Sequence, residues 1–373
     1  MRYVLVVCMV FALGLGIVSA QDDAPGAVIE GELPAEVVGL LDGLVRSAAS
    51  NATLPGVALW LATPDGTYAG AGGFADLDAE IAVQPDDRFR IGSLTKMFTA
   101  VVIMQLQEEG TLTLEDRLAD WLPEIADTIP FGDAITLRQL LSHTSGVFNY
   151  TDSEAYVDAV YANPEAAFTP EQLIEEALAR GEPYFAPGAD GAYTYSNTNY
   201  VLLGLVIEAA TGSTVAEVYR SRIFAPLGLE NTYLADAEPA SGQLISGYSN
   251  RGGGDLLDIT HWNASAAWAA GALVSNAPDL ITFAEALFGG ELFSDPATLA
   301  AMTDVSIGDN YGLGIQAYDN PDLLGHSGGT PGFSVTLVYN VPQQSTAVAL
   351  INTDQVPPTV FLQLFLTLGA LGG

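Results

Sequence analysis

The sequence predicts an α/β fold in which an antiparallel sheet is built from both chain ends and flanked by helices, with an all-helical region inserted between. Two patterns lead to this prediction: a pair of strands around a turn near each end, and apolar residues at helical spacing through the middle. The chain has 373 residues, which is long enough for a large core. We therefore expect one domain over 21–373, with a sheet region at about 34–92 and 300–373 and a mainly helical region at about 93–299.

Residues 1–20 have the pattern of a signal peptide. A single positive charge at Arg2 precedes an apolar run, and small residues ending at Ala20 come before an acidic stretch. The run is shorter than the roughly 20 residues that a membrane-spanning helix needs, which argues against the alternative, an uncleaved anchor. Cys8, the only cysteine, lies in this segment, so the mature chain would have no disulfide. We expect a secreted or periplasmic protein with no stable membrane anchor.

The remaining elements are predicted from hydrophobic periodicity and from turn residues. The elements of the sheet region are, in order, a helix at 34–48, a strand at 57–62 that turns at 64–66, strands at 334–340 and 345–352 around a turn at 341–344, and a helix at 359–371. The helices predicted in the middle are 93–110, 171–180, 198–212 and 214–224. Gly110 and Gly212 stand at two of the stop positions, where glycine commonly ends a helix.

Charge and composition exclude some function classes. The formal net charge is −34, from 45 acidic and 11 basic residues, so the chain should repel nucleic acid and anionic membrane surfaces. We interpret this acidity as a device for solubility rather than as a sign of a particular partner. The three histidines, His143, His261 and His326, are far apart and form no recognisable metal-binding pattern. We expect neither a metal nor a cofactor.

A serine and a lysine stand three residues apart at a predicted strand-to-helix turn. The strand ends near Arg90, Gly92 makes the turn, and Ser93 to Lys96 begin the helix. Residues three apart share a helix face, so the amine can reach the hydroxyl, and the free N–H groups of the first turn can stabilise an oxyanion. Only a neutral amine accepts a proton, and burial favours that form, whereas arginine stays protonated. Lys96 is the only lysine among the basic residues.

We therefore interpret Ser93 as a nucleophile and Lys96 as its base. The competing interpretation is a helix-capping serine beside a solvated lysine. Two further motifs, downstream in the sequence, favour the catalytic one.

The second motif is Tyr195-Ser196-Asn197, in a polar loop just before a helix predicted to be capped near Thr198. A tyrosine held close to a lysine could carry protons between nucleophile and leaving group. The amide of Asn197 could form a hydrogen bond with a substrate carbonyl. Taken alone, such a tripeptide is common in ordinary loops.

The third motif is His326-Ser327-Gly328, at the start of a predicted strand and followed by Gly329. Glycines in a strand allow another backbone to approach closely. A substrate could lie antiparallel along this strand. The N–H of Gly329 would then complete an oxyanion hole begun by the N–H of Ser93, and His326 or Ser327 would meet a carboxylate.

The three motifs, in this order, resemble those of the penicillin-recognising serine hydrolases. The chain is most similar to the branch that joins class C β-lactamases, D-alanyl-D-alanine carboxypeptidases, D-aminopeptidases and related esterases, over roughly residues 34–370. The resemblance implies the β-lactamase/transpeptidase-like form of the predicted fold. It also implies that Ser93 forms an acyl-enzyme, that Lys96 and Tyr195 move protons, and that Asn197 and the third motif bind substrate.

One departure bears on the substrate. The β-lactamases of this branch usually have lysine where this chain has His326, and a histidine there is more similar to the carboxypeptidases and aminopeptidases. If a cationic His326 holds a carboxylate, activity on such substrates should fall as the ring loses its proton. We do not expect His143 or His261 to take part in catalysis.

The resulting expectation is a secreted serine hydrolase of D-amino-acid peptides, similar to D-alanyl-D-alanine carboxypeptidases. The alternatives on the same site are an esterase and a β-lactamase, so the substrate would be a small peptide, an ester or a β-lactam. An alternative of another class is a penicillin-binding sensor or scaffold that is acylated but does not turn over.

Overall fold

The computed structural model describes residues 27–50, 54–179, 181–238, 244–251, 253–318 and 320–357. The predicted signal peptide at 1–20 and the predicted last helix at 359–371 lie outside these ranges. Among the described helices, no single one is long and apolar enough to cross a membrane. One pair of consecutive helices, Asn197–Thr211 and Val215–Leu227, is long and apolar enough when the two are taken together, but the pair is bent by 78°.

Most of the described strands belong to one antiparallel sheet. In chain order the strands are β1 Val28–Gly31, β2 Gly56–Thr63, β3 Gly66–Asp76, β4 Ile81–Ala82, β5 Phe89–Arg90, β6 Tyr233–Leu234, β7 Tyr248–Ser249, β8 Leu257–Asp258, β9 Leu273–Ser275, β10 Gln316–Ala317, β11 Leu323–Thr330, β12 Phe333–Asn340 and β13 Ser345–Ile351. The main sheet has the order β1-β3-β2-β13-β12-β11-β10, with β4 paired to β3. Ile351 of β13 lies opposite Val57 of β2, so the prediction that both chain ends build the sheet is confirmed.

The described helices fill most of the middle of the chain. They are α1 Ala35–Ala49, α2 Thr95–Glu108, α3 Leu118–Trp121, α4 Pro123–Ala126, α5 Leu137–Leu141, α6 Glu154–Ala162, α7 Pro170–Leu178, α8 Asn197–Thr211, α9 Val215–Tyr219, α10 Ala225–Leu227, α11 Ala277–Phe288 and α12 Pro296–Met302. Shorter 3₁₀ turns include Gly92–Leu94, Tyr150–Asp152, Ala264–Ala266 and Trp268–Ala270.

The middle differs from the prediction in two details. The helix predicted at 214–224 ends at Tyr219 and continues as a π turn over Arg220–Phe224. The region is also not all-helical, because β5, β9 and β6 form a small antiparallel sheet and β7 pairs with β8. The strand that ends at Arg90 was predicted, but β6, β7, β8 and β9 have two or three residues each and are too short to show a period of two in the sequence.

The main sheet separates two apolar cores. Successive residues of a strand point to opposite faces. Val57 and Leu59 of β2 therefore pack with Leu41 of α1 in the smaller core, while Ala58 joins the larger core with the middle helices. The sheet is thus covered by helices on both faces, as the sequence predicted.

Helix α2 lies within the larger core and is buried along almost its whole length. The ring of Phe98 stacks on Phe283 of α11, with centroids 3.8 Å apart. A helix that is apolar on all sides is expected to be enclosed by other elements. Its first turn is therefore a rigid base for Lys96, which it carries, and for the turn before it that carries Ser93.

Candidate active site

Ser93 lies in the turn between β5 and α2, and Lys96 lies in the first turn of α2. The chain leaves β5 after Arg90, turns through Gly92–Leu94 and enters α2 at Thr95. Lys96 Nζ is 3.1 Å from Ser93 Oγ. The predicted contact between amine and hydroxyl is therefore present in the folded chain.

Lys96 is fully buried. Burial lowers the pKa of its ammonium well below the ordinary value, because a charge loses hydration there. No carboxylate among the described residues forms an ion pair with Nζ, so nothing acidic offsets this effect. The rings of Tyr195 and Tyr200, with centroids 4.8 and 5.4 Å from Nζ, line its surroundings. The site therefore favours the neutral amine.

The hydrogen bonds of Lys96 also orient that neutral amine. Its two other neighbours are Asn197 Oδ1 and the carbonyl oxygen of Ala270, each at 2.7 Å. Both atoms only accept hydrogen bonds. They occupy the two N–H groups of a neutral amine, which leaves its lone pair for the hydroxyl of Ser93. This is the orientation that a general base needs.

Asn197 is the first residue of α8, whose N-cap is Ser196, two positions earlier than the predicted cap near Thr198. Its Nδ2 donates to Thr151 Oγ1 at 2.9 Å, and its backbone N–H donates to Asn149 Oδ1 at 3.0 Å. These bonds fix which end of the amide faces Lys96. Asn197 lines the cleft as predicted, and within the protein its carbonyl serves Lys96 directly.

The ring of Tyr195 lies beside Lys96, with its centroid 4.8 Å from Nζ. Burial raises the pKa of its phenol, and the nearby Ser93 hydroxyl opposes that rise only in part, so the group stays protonated at neutral pH. Its Oη is buried and has no hydrogen-bond partner of good geometry among the described residues. A protonated phenol cannot take the proton of Ser93, whereas a neutral Lys96 can.

The third motif lies in the middle of β11, not at its start as predicted, and it passes very close to the turn that carries Ser93. A methyl group on Gly92 would lie 2.8 Å from the backbone nitrogen of Gly329. A methyl group on Gly328 would overlap the carbonyl oxygen of Ile91 and lie 3.1 Å from the nitrogen of Ser93. Glycines thus bring the N–H groups of Ser93 and Gly329 to one place, as an oxyanion hole requires.

The surroundings of His326 differ from the expected cationic, substrate-facing side chain. The residue is only 2% exposed, and the hydroxyl of Tyr311 lies 2.9 Å from Nε2. Nδ1 is 2.5 Å from the carbonyl oxygen of Ser327 and must donate to it, so Nε2 accepts from Tyr311. Burial, with a smaller effect of Lys96, lowers the pKa of His326 to about 3. The ring is therefore neutral at ordinary pH and cannot hold a carboxylate as a cation.

Ser327 and Gly328, the other two residues of the third motif, have surroundings different from those of His326. The hydroxyl of Ser327 is half-buried and donates to Gln316 Oε1 at 3.4 Å, while Gly328 is buried against the Ser93 turn.

This neutral His326 leads to a pH prediction. Because its pKa of about 3 lies far below the assay range, we expect no histidine step in kcat/KM between about pH 5 and 8. His326→Asn, which keeps a donor for the Ser327 carbonyl, should leave the pH midpoint of the activity unchanged even where the rate falls. The measurement is a kcat/KM profile of both proteins on one ester. A midpoint that moves in the variant would show that His326 titrates during catalysis.

An open cleft of about 600 Å³ lies beside Ser93. Its wall is mainly apolar and aromatic, and the residues that form this part are Tyr150, Tyr156, Val157, Val160, Trp262, Ala266 and Pro331. Arg251 is a positively charged residue of the cleft wall, and its guanidinium already forms an ion pair with Asp158 at 3.2 Å. The cleft can accept a small substrate with an apolar side chain.

Two residues near the site were not identified from the sequence. Thr330 lines the cleft and has a buried hydroxyl without a partner among the described residues. His143, expected to be only a structural turn, is fully buried with its ring 4.3 Å from that of Tyr195. His261 is exposed and does not line the cleft. Within the described ranges, no group of three or more potential metal ligands comes together.

Comparisons with known proteins agree with this geometry. The family model described as Beta-lactamase matches residues 41–368. Penicillin-binding protein 4* of Bacillus subtilis is 28% identical over 303 residues, which cover 76% of this chain and 64% of that protein. The chain thus spans slightly less than two thirds of the length of this relative.

Solved structures extend the likeness. A D-stereospecific amidohydrolase from Streptomyces sp. has a TM-score of 0.74 and 33% identity, covering 83% of this chain and 93% of its own. D-amino acid amidase from Ochrobactrum anthropi SV3, in complex with L-phenylalanine amide, has a TM-score of 0.74 and 27% identity, covering 86% and 92%. The predicted α/β fold is confirmed by these matches.

Proposed function

The chain belongs to the β-lactamase family, and on that premise we propose that it is a serine hydrolase that acts through a Ser93 acyl-enzyme on small amides and peptides of D-amino acids. The observation that carries this proposal is the buried Lys96, which has two acceptors for its N–H groups and a lone pair directed at Ser93. A lysine kept neutral in this way supplies the base that a serine nucleophile needs.

The acylation step uses three groups: the hydroxyl of Ser93, the amine of Lys96 and the N–H groups of the oxyanion hole. Ser93 Oγ attacks the substrate carbonyl carbon while its proton passes to Lys96 Nζ. The carbonyl oxygen becomes an oxyanion between the N–H groups of Ser93 and Gly329. Each oxyanion-hole donor of this kind contributes roughly 10²–10³-fold in rate.

The proton then leaves by way of Tyr195. The C–N bond of the tetrahedral intermediate breaks as the leaving nitrogen takes a proton from Lys96, relayed through the Tyr195 hydroxyl. This leaves an ester on Ser93. Water attacks the ester, its proton passes to Lys96, and Ser93 is released as the alcohol. The Oη of Tyr195 has no hydrogen-bond partner of good geometry within the described part of the chain, so it is free to make the relay bonds when substrate is present.

The substrate class is supported by the named relatives and by the charges of the site. The two solved structures are a D-stereospecific amidohydrolase and a D-amino acid amidase. Lys96 and His326 are favoured as neutral groups, so neither holds a carboxylate well. We therefore favour substrates that end in an uncharged amide or peptide over the free carboxylate of a carboxypeptidase substrate. This choice is narrower than the D-amino-acid peptides expected from the sequence. Export of the chain, from its predicted signal peptide, remains part of the proposal.

The first experiment tests the nucleophile by intact mass. We expect a fluorophosphonate to add one adduct to the wild-type protein and none to Ser93→Ala. The intact mass of protein recovered from an exporting host also shows where the mature chain begins. We expect cleavage after Ala20. An adduct on Ser93→Ala would contradict the assignment of the nucleophile.

The second experiment compares matched substrates. D- and L-alanine p-nitroanilide test the stereochemistry, and N-acetyl-D-alanyl-D-alanine and its C-terminal amide test the need for a carboxylate. We expect turnover of the D-alanine p-nitroanilide but not of its L-form. We expect the N-acetyl-D-alanyl-D-alanine acid to be turned over no faster than its amide. Turnover of short esters alone would indicate an esterase, and turnover of a cephalosporin alone a β-lactamase. Labelling without any turnover would indicate a sensor or scaffold.

A further inference from the structure

His143 holds the chain on both sides of Tyr195. Its backbone carbonyl accepts the N–H of Thr194 at 3.1 Å, and its Nδ1 accepts the N–H of Ser196 at 3.1 Å. The residues immediately before and after Tyr195 are thus tied to one histidine. Because two fixed points on either side of a residue limit its backbone, these bonds set the direction in which the Tyr195 side chain leaves the loop.

The ring of His143 contacts the phenol as well. Its centroid lies 4.3 Å from that of Tyr195 and 4.7 Å from that of Tyr311. Since Nδ1 accepts a backbone N–H, the proton of the neutral ring is on Nε2. Burial, together with Lys96 and His326 nearby, lowers the pKa of His143, so the ring adds no charge beside Lys96.

The conformation of His143 is unusual and is fixed by other contacts. Its φ is +58°, in the left-handed region that few residues other than glycine adopt, although Asn, Asp and His do so more often than the rest. Asn199 of α8 has its Nδ2 3.3 Å from Nδ1 and accepts from Ser145 Oγ at 2.8 Å. A strained backbone of this kind persists only where its surroundings hold it, and it is frequent near active sites.

We propose that His143 is a positioning residue, which keeps the Tyr195 hydroxyl beside Ser93 and Lys96 for proton transfer. It does not touch substrate, because it is fully buried and does not line the cleft. This inference rests on the proposed function, since it assigns a task only if Tyr195 relays protons. The acceptor at Nδ1 and the left-handed backbone are the two features that the task requires.

Three substitutions test these two features together. His143→Asn keeps an acceptor close to the position of Nδ1 and tolerates a positive φ. His143→Gln is equally polar but carries its carbonyl oxygen one bond further out, and His143→Ala has no acceptor. We expect kcat to fall by roughly 100-fold in His143→Ala and His143→Gln, since a displacement of about 1 Å at a catalytic group has this effect. His143→Asn should recover most of that loss, and KM should stay within about threefold in all three.

Leu41→Ala provides the control for stability. It opens a cavity beside α1, in the core on the far side of the main sheet, and should lower Tm without lowering kcat below the melting range. A kcat that follows Tm across all four variants, or equal rates in His143→Asn and His143→Gln, would overturn the positioning role. The rate of fluorophosphonate labelling of the wild type is measured first. No labelling there refutes the proposed function itself, whereas normal labelling with unchanged His143 variants refutes only this inference.

Discussion

Lys96→Arg is expected to reduce acylation of Ser93 by about 10²–10⁴-fold, the range that a general base contributes. Arginine would place a permanent positive charge where Lys96 is held neutral, because its guanidinium stays protonated, and it has no lone pair for the serine proton. The pocket also offers only two fixed acceptors besides Ser93, namely Asn197 Oδ1 and the Ala270 carbonyl, and it contains no ion-pair partner among the described residues. The larger cation would be buried there without compensation.

The measurement is the rate of adduct formation with fluorophosphonate, read by intact mass, alongside Tm. Lys96→Met is the matched control, because it keeps an unbranched side chain of similar length and removes the base without introducing a charge. We expect Lys96→Met to fold and to be as inactive as Lys96→Arg. Loss of activity in a well-folded Lys96→Met assigns the effect to the missing base. Acylation by Lys96→Arg within tenfold of wild type would refute Lys96 as the base.

The direction of the pH dependence follows from the same residue. Activity requires the neutral amine, so kcat/KM should rise with pH as Lys96 loses its proton. Because burial lowers the pKa of Lys96, that rise should occur well below the ordinary titration of lysine.

The fold could be predicted where the signal is local and regular. The helix predicted at 34–48 is α1, and the turn predicted at 64–66 is closed by Thr63 Oγ1, which accepts the N–H groups of Asp65 and Gly66. In the small β5-β9-β6 sheet, the strand that ends at Arg90 could be predicted, but β6 and β9 could not, since each has only two or three residues. Their pairing depends on contacts between Phe89 and Ser275, far apart in the chain.

The same distinction holds for the site. Ser93 and Lys96 are three residues apart on one helical turn, so their contact could be predicted from spacing alone. His143 and Ser196 are 53 positions apart, and no periodicity links them. The neutral state of His326 depends on Tyr311 and on burial, neither of which the third motif encodes. A motif thus indicates which residues meet but not the charge that their surroundings allow.

Gly328→Ala should lower kcat/KM by about 10²–10³-fold, the effect of losing one oxyanion-hole donor. The added methyl group would overlap the Ile91 carbonyl oxygen, which is backbone and cannot rotate away as a side chain would. Either β11 or the Ser93 turn must then move, and both carry an N–H of the proposed hole. Overpacking of this kind also costs about 1–3 kcal/mol of stability.

Gly43→Ala is the control for the substitution itself, because a methyl group there meets no atom within 4 Å and lies within α1. We expect Gly43→Ala to be slightly more stable and fully active. The measurement is kcat/KM on the best ester or amide, together with Tm. The decisive comparison is at a temperature where both variants are folded, because the predicted defect of Gly328→Ala is a misplaced N–H group and not an unfolded chain. Activity of Gly328→Ala within about twofold of wild type would mean that the oxyanion is held elsewhere than between Ser93 and Gly329.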